Sequence, residues 1–169
     1  MNIHNNYPIK RIATIFLQII IVLVGSIVLA ALLLEPQLEG RNTHSTLFQT
    51  YFTDPFLVYI YLASIPFFVA LYQAFKGLGY ARENKMFSRA AVKCLRTIKY
   101  CALIIASSTI AADIYIRIAA QSSHDDPAGA TMLGIVIIFV SVVVAAVAAV
   151  FEKILQNAVD IKLENDLTV

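Results

Sequence analysis

Charge is scarce in this chain. Only 14% of its 169 residues are Asp, Glu, Lys or Arg, where a soluble domain carries about 25%. With 59% hydrophobic residues and a mean hydropathy of +0.75, that deficit excludes an ordinary soluble domain. The solvent around most of the chain is lipid. Cysteine is nearly as sparse: Cys94 and Cys101 are the only two, so no disulfide framework is implied. On one helix, seven positions apart, they would stand about 10 Å from each other, too far to bridge. The signatures of catalysis are missing as well. There is no nucleophile elbow, no HExxH, no phosphate-binding glycine loop and no pair of carboxylates within an apolar run. These absences argue for a protein that is not an enzyme and takes no cofactor.

What is present is four apolar runs, each near the roughly 20 residues that cross a bilayer. They cover about residues 12–34, 55–75, 100–120 and 128–151. A backbone in lipid must satisfy its own hydrogen bonds, so each run is expected to be an α-helix. The first is too long for a signal-peptide core, and "LLLEPQ" after it offers no small-x-small cleavage site. The fold class is therefore all-α, an integral membrane four-helix bundle in a single domain.

Basic residues decide the orientation. Lys10 and Arg11 precede the first run, seven more occupy the connection at 76–99, and Lys153 and Lys162 lie in the tail at 152–169. Of the 13 basic residues, only Arg41 and Arg117 fall on the other side. The positive-inside rule then places both termini in the cytoplasm. Gly77 and Gly79 are expected to end the second helix. Ser88 is expected to cap a basic helix that continues into the third run. Such a helix attracts anionic headgroups. Pro66, near the middle of the second run, predicts a kink.

Lipid gives helices no hydrophobic reason to associate, so small residues mark where backbones approach. In the fourth run these are Ala130, Gly134, Ser141, Ala145 and Ala149. In the third they are Ser107 with Ala111 and Ser108 with Ala112. A short loop joins the two runs, so they are expected to form an antiparallel pair.

The stretch "STIAADIYIRIAAQ" holds Asp113 and Arg117 one helical turn apart in the third run. Asp113 would lie about 20 Å and Arg117 about 26 Å along the helix from Tyr100, inside and at the edge of a core about 30 Å thick. One reading is an intramembrane charge pair that neutralises itself where the helix leaves the membrane. The other is a proton or substrate site, with Gln18 and Tyr72 as its partners. His44, Glu35, Glu39, His124, Asp125 and Asp126 gather outside, but without the spacing of a metal motif, so no metal is expected. After the fourth run, Phe151, Ile154, Leu155, Ala158 and Ile161 recur at helical spacing. That apolar face is expected to pack the tail on the loop helix, with Glu152, Asp160, Glu164 and Asp166 near the basic groups.

The segments "ENKMFS" (Glu83 to Ser88), "VKCLRTIKY" (Val92 to Tyr100), "DDPAG" (Asp125 to Gly129) and "LQNAVDIKLENDLTV" (Leu155 to Val169) resemble the bacterial domain of unknown function family 2975, small four-span membrane proteins. The resemblance implies a bacterial inner membrane and, as a cytoplasmic protein partner, a helix-turn-helix regulator. It carries no activity, substrate or cofactor, and Asp113 with Arg117 is not part of its pattern. Glu83, Asn84, Lys85, Asp160, Lys162, Glu164, Asn165 and Asp166 then form a candidate cytoplasmic interaction surface. The function expected is a regulatory or accessory one, with no direct nucleic-acid contact and with homo-oligomers allowed. The alternatives are a small transporter or channel using Asp113, and a bacteriocin-type immunity or stress-response protein.

Overall fold

The computed structural model describes residues 7–38, 55–83, 85–123 and 127–167. They form four helices: α1 (Tyr7–Leu38), α2 (Pro55–Arg82), α3 (Arg89–Ser123) and α4 (Ala128–Leu167). All four are long and apolar enough to cross a membrane, and the described residues contain no strand. The chain is an all-α membrane bundle.

Local sequence explains where the helices begin. Pro55 opens α2, where its missing N–H is no loss. Ser88 caps α3: its Oγ accepts from the Ala91 N–H at 3.3 Å, satisfying one of the donors that a helix start leaves open. The Pro127 carbonyl accepts from the Thr131 N–H at 3.0 Å and starts α4.

The end of α2 departs from expectation. The helix does not stop at Gly77 or Gly79 but runs on to Arg82. Glycine inside a helix costs only about 1 kcal/mol, and here the last turns of α2 pack on α3. A Cβ at Gly77 would sit 3.9 Å from the Cys94 Cβ, an ordinary contact. The basic connection at 76–99 is therefore mostly helix, with only the stretch around 83–88 outside α2 and α3. α2 also runs through Pro66 without interruption.

The helices pack in chain order: α1 on α2, α2 on α3, α3 on α4. Among the described residues no other helix pair comes into contact, so α1 and α4 stay apart. Each neighbouring pair is antiparallel. Gln18, Gly25 and the Leu32 carbonyl of α1 meet Phe75, Leu71 and Tyr61 of α2, in descending order. The Tyr59 hydroxyl donates to the Ser108 carbonyl at 2.7 Å, and Phe56 stacks on Tyr115 with ring centroids 5.6 Å apart, joining α2 to α3. One end of the molecule therefore gathers the start of α1, the α2–α3 connection and the end of α4. It is the basic end.

The interior is thin. Its buried apolar residues are mainly small: Ala91, Val92, Cys94, Cys101, Ala102 and Ala106 on α3, and Ala145, Ala148 and Val159 on α4. The large side chains Leu23, Ile27, Leu62, Ile118, Leu133 and Phe139 are exposed, which in water would be a vast sticky surface and in lipid is an ordinary one.

Candidate functional site

Two stripes run along α3, each repeating at alternating three- and four-residue steps. Ala91, Cys94, Ile98, Cys101, Ile105 and Ser108 form the stripe that meets α2, fixed by the Gly77–Cys94 and Tyr59–Ser108 contacts. Val92, Leu95, Lys99, Ala102, Ala106, Thr109 and Asp113 form the other, which meets α4. On α4 the matching stripe is Thr131, Gly134, Ile138, Ser141, Ala145, Ala148, Glu152, Leu155 and Val159, every one buried or half-buried. Gly134, Ser141 and Ala145 were legible as small interface residues. Ala130 is instead exposed and Ala148 takes the buried place expected for Ala149.

Polar groups close this seam at both ends. At the basic end the Glu152 carboxylate reaches across from α4. Its Oε1 accepts from Arg96 Nε at 2.7 Å and its Oε2 from Lys99 Nζ at 2.6 Å. The Glu152 side chain is 10% exposed, Lys99 23% and Arg96 51%, so the pair to Lys99 is the more sheltered. Lys99 Nζ also stands 5.0 Å above the Tyr100 ring, a distance at which a cation gains from the ring face. Charge-assisted bonds this short bind α3 firmly to α4, yet two cations on one carboxylate leave the cluster net positive.

At the other end lies Asp113, half-buried on α3. No ion pair or hydrogen bond joins it to Arg117 among the described residues. The intramembrane pair expected from their spacing does not form. Asp113 instead lays its carboxylate on Gly134 of α4. A Cβ there would fall 2.6 Å from Asp113 Cγ and still closer to a carboxylate oxygen. The absent side chain of Gly134 makes the room, so the short Asp side chain turns inward while Arg117 remains exposed. The partners expected for Asp113 are elsewhere too. Gln18 is buried and donates to the Phe75 carbonyl at 3.3 Å. Tyr72, on α2, is exposed and lies about 20 Å from Asp113 along the helices.

The exposed surface residues at the basic end are less connected. Glu83 and Lys85 pair with each other at 3.0 Å. The Lys85 hydrogen bond and charge hold the Glu83 carboxyl below the usual carboxylate range. Asp160, Lys162, Glu164 and Asn165 are exposed on α4. Asp166 lies in the last turn of α4, and Asn84 falls outside the described residues. Of the apolar face expected for the tail, Leu155 and Ala158 are half-buried, whereas Phe151, Ile154 and Ile161 are exposed. Val159 and Glu152 take the inward positions, because the register of the span continues unbroken to the end of α4. Cys94 and Cys101 are free thiols. No cluster of metal-ligating residues occurs among the described residues. His44, Glu39, His124, Asp125 and Asp126 fall outside them, and Glu35 lies within α1.

Four long lipid-facing helices sewn together by a small-residue seam define a multi-pass helical membrane protein. The chain belongs to the family described as "Protein of unknown function (DUF2975)", whose model matches residues 42–169. It is 44% identical over 161 residues to "Uncharacterized membrane protein YoaS" of Bacillus subtilis (strain 168), covering 95% of this chain and 99% of that one. No solved structure matches.

Proposed function

We propose that this protein sits in the bacterial cytoplasmic membrane with both termini in the cytoplasm. There it acts without catalysis, as a regulatory or accessory protein whose working surface is the basic end of the α3–α4 pair. The observation that carries this reading is helix length. α4 has 40 residues, about 60 Å, against a hydrocarbon core of about 30 Å. Its last turns therefore stand outside the bilayer, fastened to α3 through Glu152 and presenting Asp160, Lys162 and Glu164 to solvent. A rigid, charged helical pair is suited to dock a soluble partner, and the excess of basic residues at that end supports the cytoplasmic orientation.

The test is to delete residues 160–169. Insertion and bundle should persist, because Val159 and the seam above it are retained, while the cellular effect of the protein is lost. Full activity of the truncated protein would overturn the reading. Reporter fusions after Arg82 and Val169 should report the cytoplasm, and those after Gln49 and Gln121 the opposite side.

A second reading, transport through the α3–α4 seam, draws on one observation: Asp113 is set in that seam without a paired cation among the described residues. An ionisable group within a span marks a pathway by default. Loss of function in Asp113→Asn at normal folding, with the 160–169 deletion fully active, would favour it.

A further inference from the structure

The basic end treats its cations in two different ways. Arg96 and Lys99 share the Glu152 carboxylate, and Lys85 pairs with Glu83. Lys76, Arg89 and Lys93 are exposed, and no carboxylate among the described residues lies within ion-pairing distance of any of them.

Packing concentrates these unpaired charges. Gly77 of α2 touches Cys94 of α3, so Lys76 and Lys93, each the preceding residue, arrive at one level on adjacent helices. Burial pushes the Cys94 thiol up, and the nearby Lys76 charge partly opposes it. Arg89 stands one turn before Lys93 on α3, and like charges at that spacing repel. Three cations thus converge with no internal anion among the described residues to relieve them. Lys76 directly follows Phe75 at the membrane interface, Lys93 stands level with it on α3, and Arg89 lies one turn further out. On the membrane side of the cations, the exposed Val69 and Tyr72 of α2 and Tyr100 and Ile104 of α3 stand at helical spacing from Lys76 and Lys93 and continue their flank as an apolar surface.

We propose that the α2–α3 junction binds the headgroup of an anionic phospholipid, with Lys76 and Lys93 holding the phosphate from two helices and Arg89 completing the site. The bilayer supplies such a headgroup at this depth, and the apolar flank that runs from the cations into the membrane favours a ligand with acyl chains over a soluble anion. The charges would otherwise repel, so lipid would also fasten α2 to α3, a junction joined without any ion pair among the described residues. The proposal rests on membrane insertion alone and is independent of any regulatory partner.

The test uses the full chain purified in neutral detergent. Thermal unfolding is followed while phosphatidylglycerol or phosphatidylcholine is titrated in, and retained lipid is counted by native mass spectrometry. The wild type should be stabilised by phosphatidylglycerol and retain it selectively. The double variant Lys76→Gln, Lys93→Gln should weaken that response about 30-fold, as expected for two surface cations, while Lys76→Arg with Lys93→Arg preserves it. The control Lys153→Gln with Lys162→Gln removes the same charge from α4 and should lose at least about 5-fold less of the response than the double variant, since diffuse attraction alone would make the two losses equal. Equal losses in control and test variants would overturn the proposal, showing only diffuse attraction. So would a wild type indifferent to headgroup charge, or an equal response to inorganic phosphate. Circular dichroism establishes that each variant is folded. If the double Gln variant is not, Lys93→Gln alone should lose about 5-fold, and no loss there overturns the proposal.

Discussion

The α1–α2 pair and the α3–α4 pair are built from similarly apolar material and hold together differently. α1 is more apolar than α3, yet among the described residues it contributes one buried residue, the polar Gln18, whereas α3 contributes six. Where α1 meets α2, the described links include an amide bond to the Phe75 carbonyl, a tyrosine bond to the Leu32 carbonyl, and Gly25 against the tip of Leu71. Where α3 meets α4, Ala102, Ala106, Ser141, Ala145 and Ala148 line the middle of the seam and charge closes it. In lipid, hydrophobicity inserts a helix and does not attach it. Close backbone approach and polar links do.

Substitutions can break that contrast, and the largest effect is expected at Glu152. Glu152→Ala leaves two cations without their partner and should cost about 2 kcal/mol, lowered from the value for a fully buried pair because Arg96 is half exposed. Unfolding in detergent would measure it, and a loss as small as that of an exposed pair would remove the clamp from the argument. Next in size is Gly134→Ala, which drives a methyl into the Asp113 carboxylate and should cost about 1–2 kcal/mol. Asp113→Ala in the same molecule makes room again and should restore most of the loss, a coupling that a double-mutant cycle would read. In the other pair, Gly25→Ala meets only the Leu71 Cδ1 at 3.2 Å, the end of a flexible side chain. Its cost should stay within about 0.5 kcal/mol. The smallest effect is expected from Gln18→Leu. It removes one interhelical bond but relieves an amide of its dehydration, so stability should change by less than about 0.5 kcal/mol in either direction. If the α1–α2 variants proved as costly as those in the α3–α4 seam, the contrast between the two halves would disappear.

Much of this architecture was legible in the amino-acid pattern. Length and charge scarcity define four helices, Ser88 marks the start of α3, and small residues mark the α3 contact on α4, whereas on α3 Ser107 and Ala111 are exposed and Ser108 meets α2. The misreadings share a cause. Spacing along one helix put Asp113 with Arg117, but side chains in a packed pair answer to the facing helix, and Gly134 offered Asp113 a closer place. Likewise, an apolar face read afresh from Phe151 onward gave the tail the wrong inward side. The rotation of a helix is set where it is most tightly packed, here at Ser141, Ala145 and Ala148, and the turns that follow inherit it. Gly77 and Gly79 looked like a stop, and tertiary contact with Cys94 carried α2 past them. What local pattern cannot supply is which residue stands opposite.

The continuity of α4 has a mechanical consequence. With no break between Ala128 and Leu167, it behaves as a lever pivoting near Val159, the last residue that α3 grips. The arm beyond that pivot is about 12 Å long. A tilt of about 10° in the bilayer, the scale by which helices adjust to membrane thickness, swings its far end by about 2 Å. Stretching or thinning of the membrane would thus reach the basic end as displacement of a charged tip, with no hinge to absorb it.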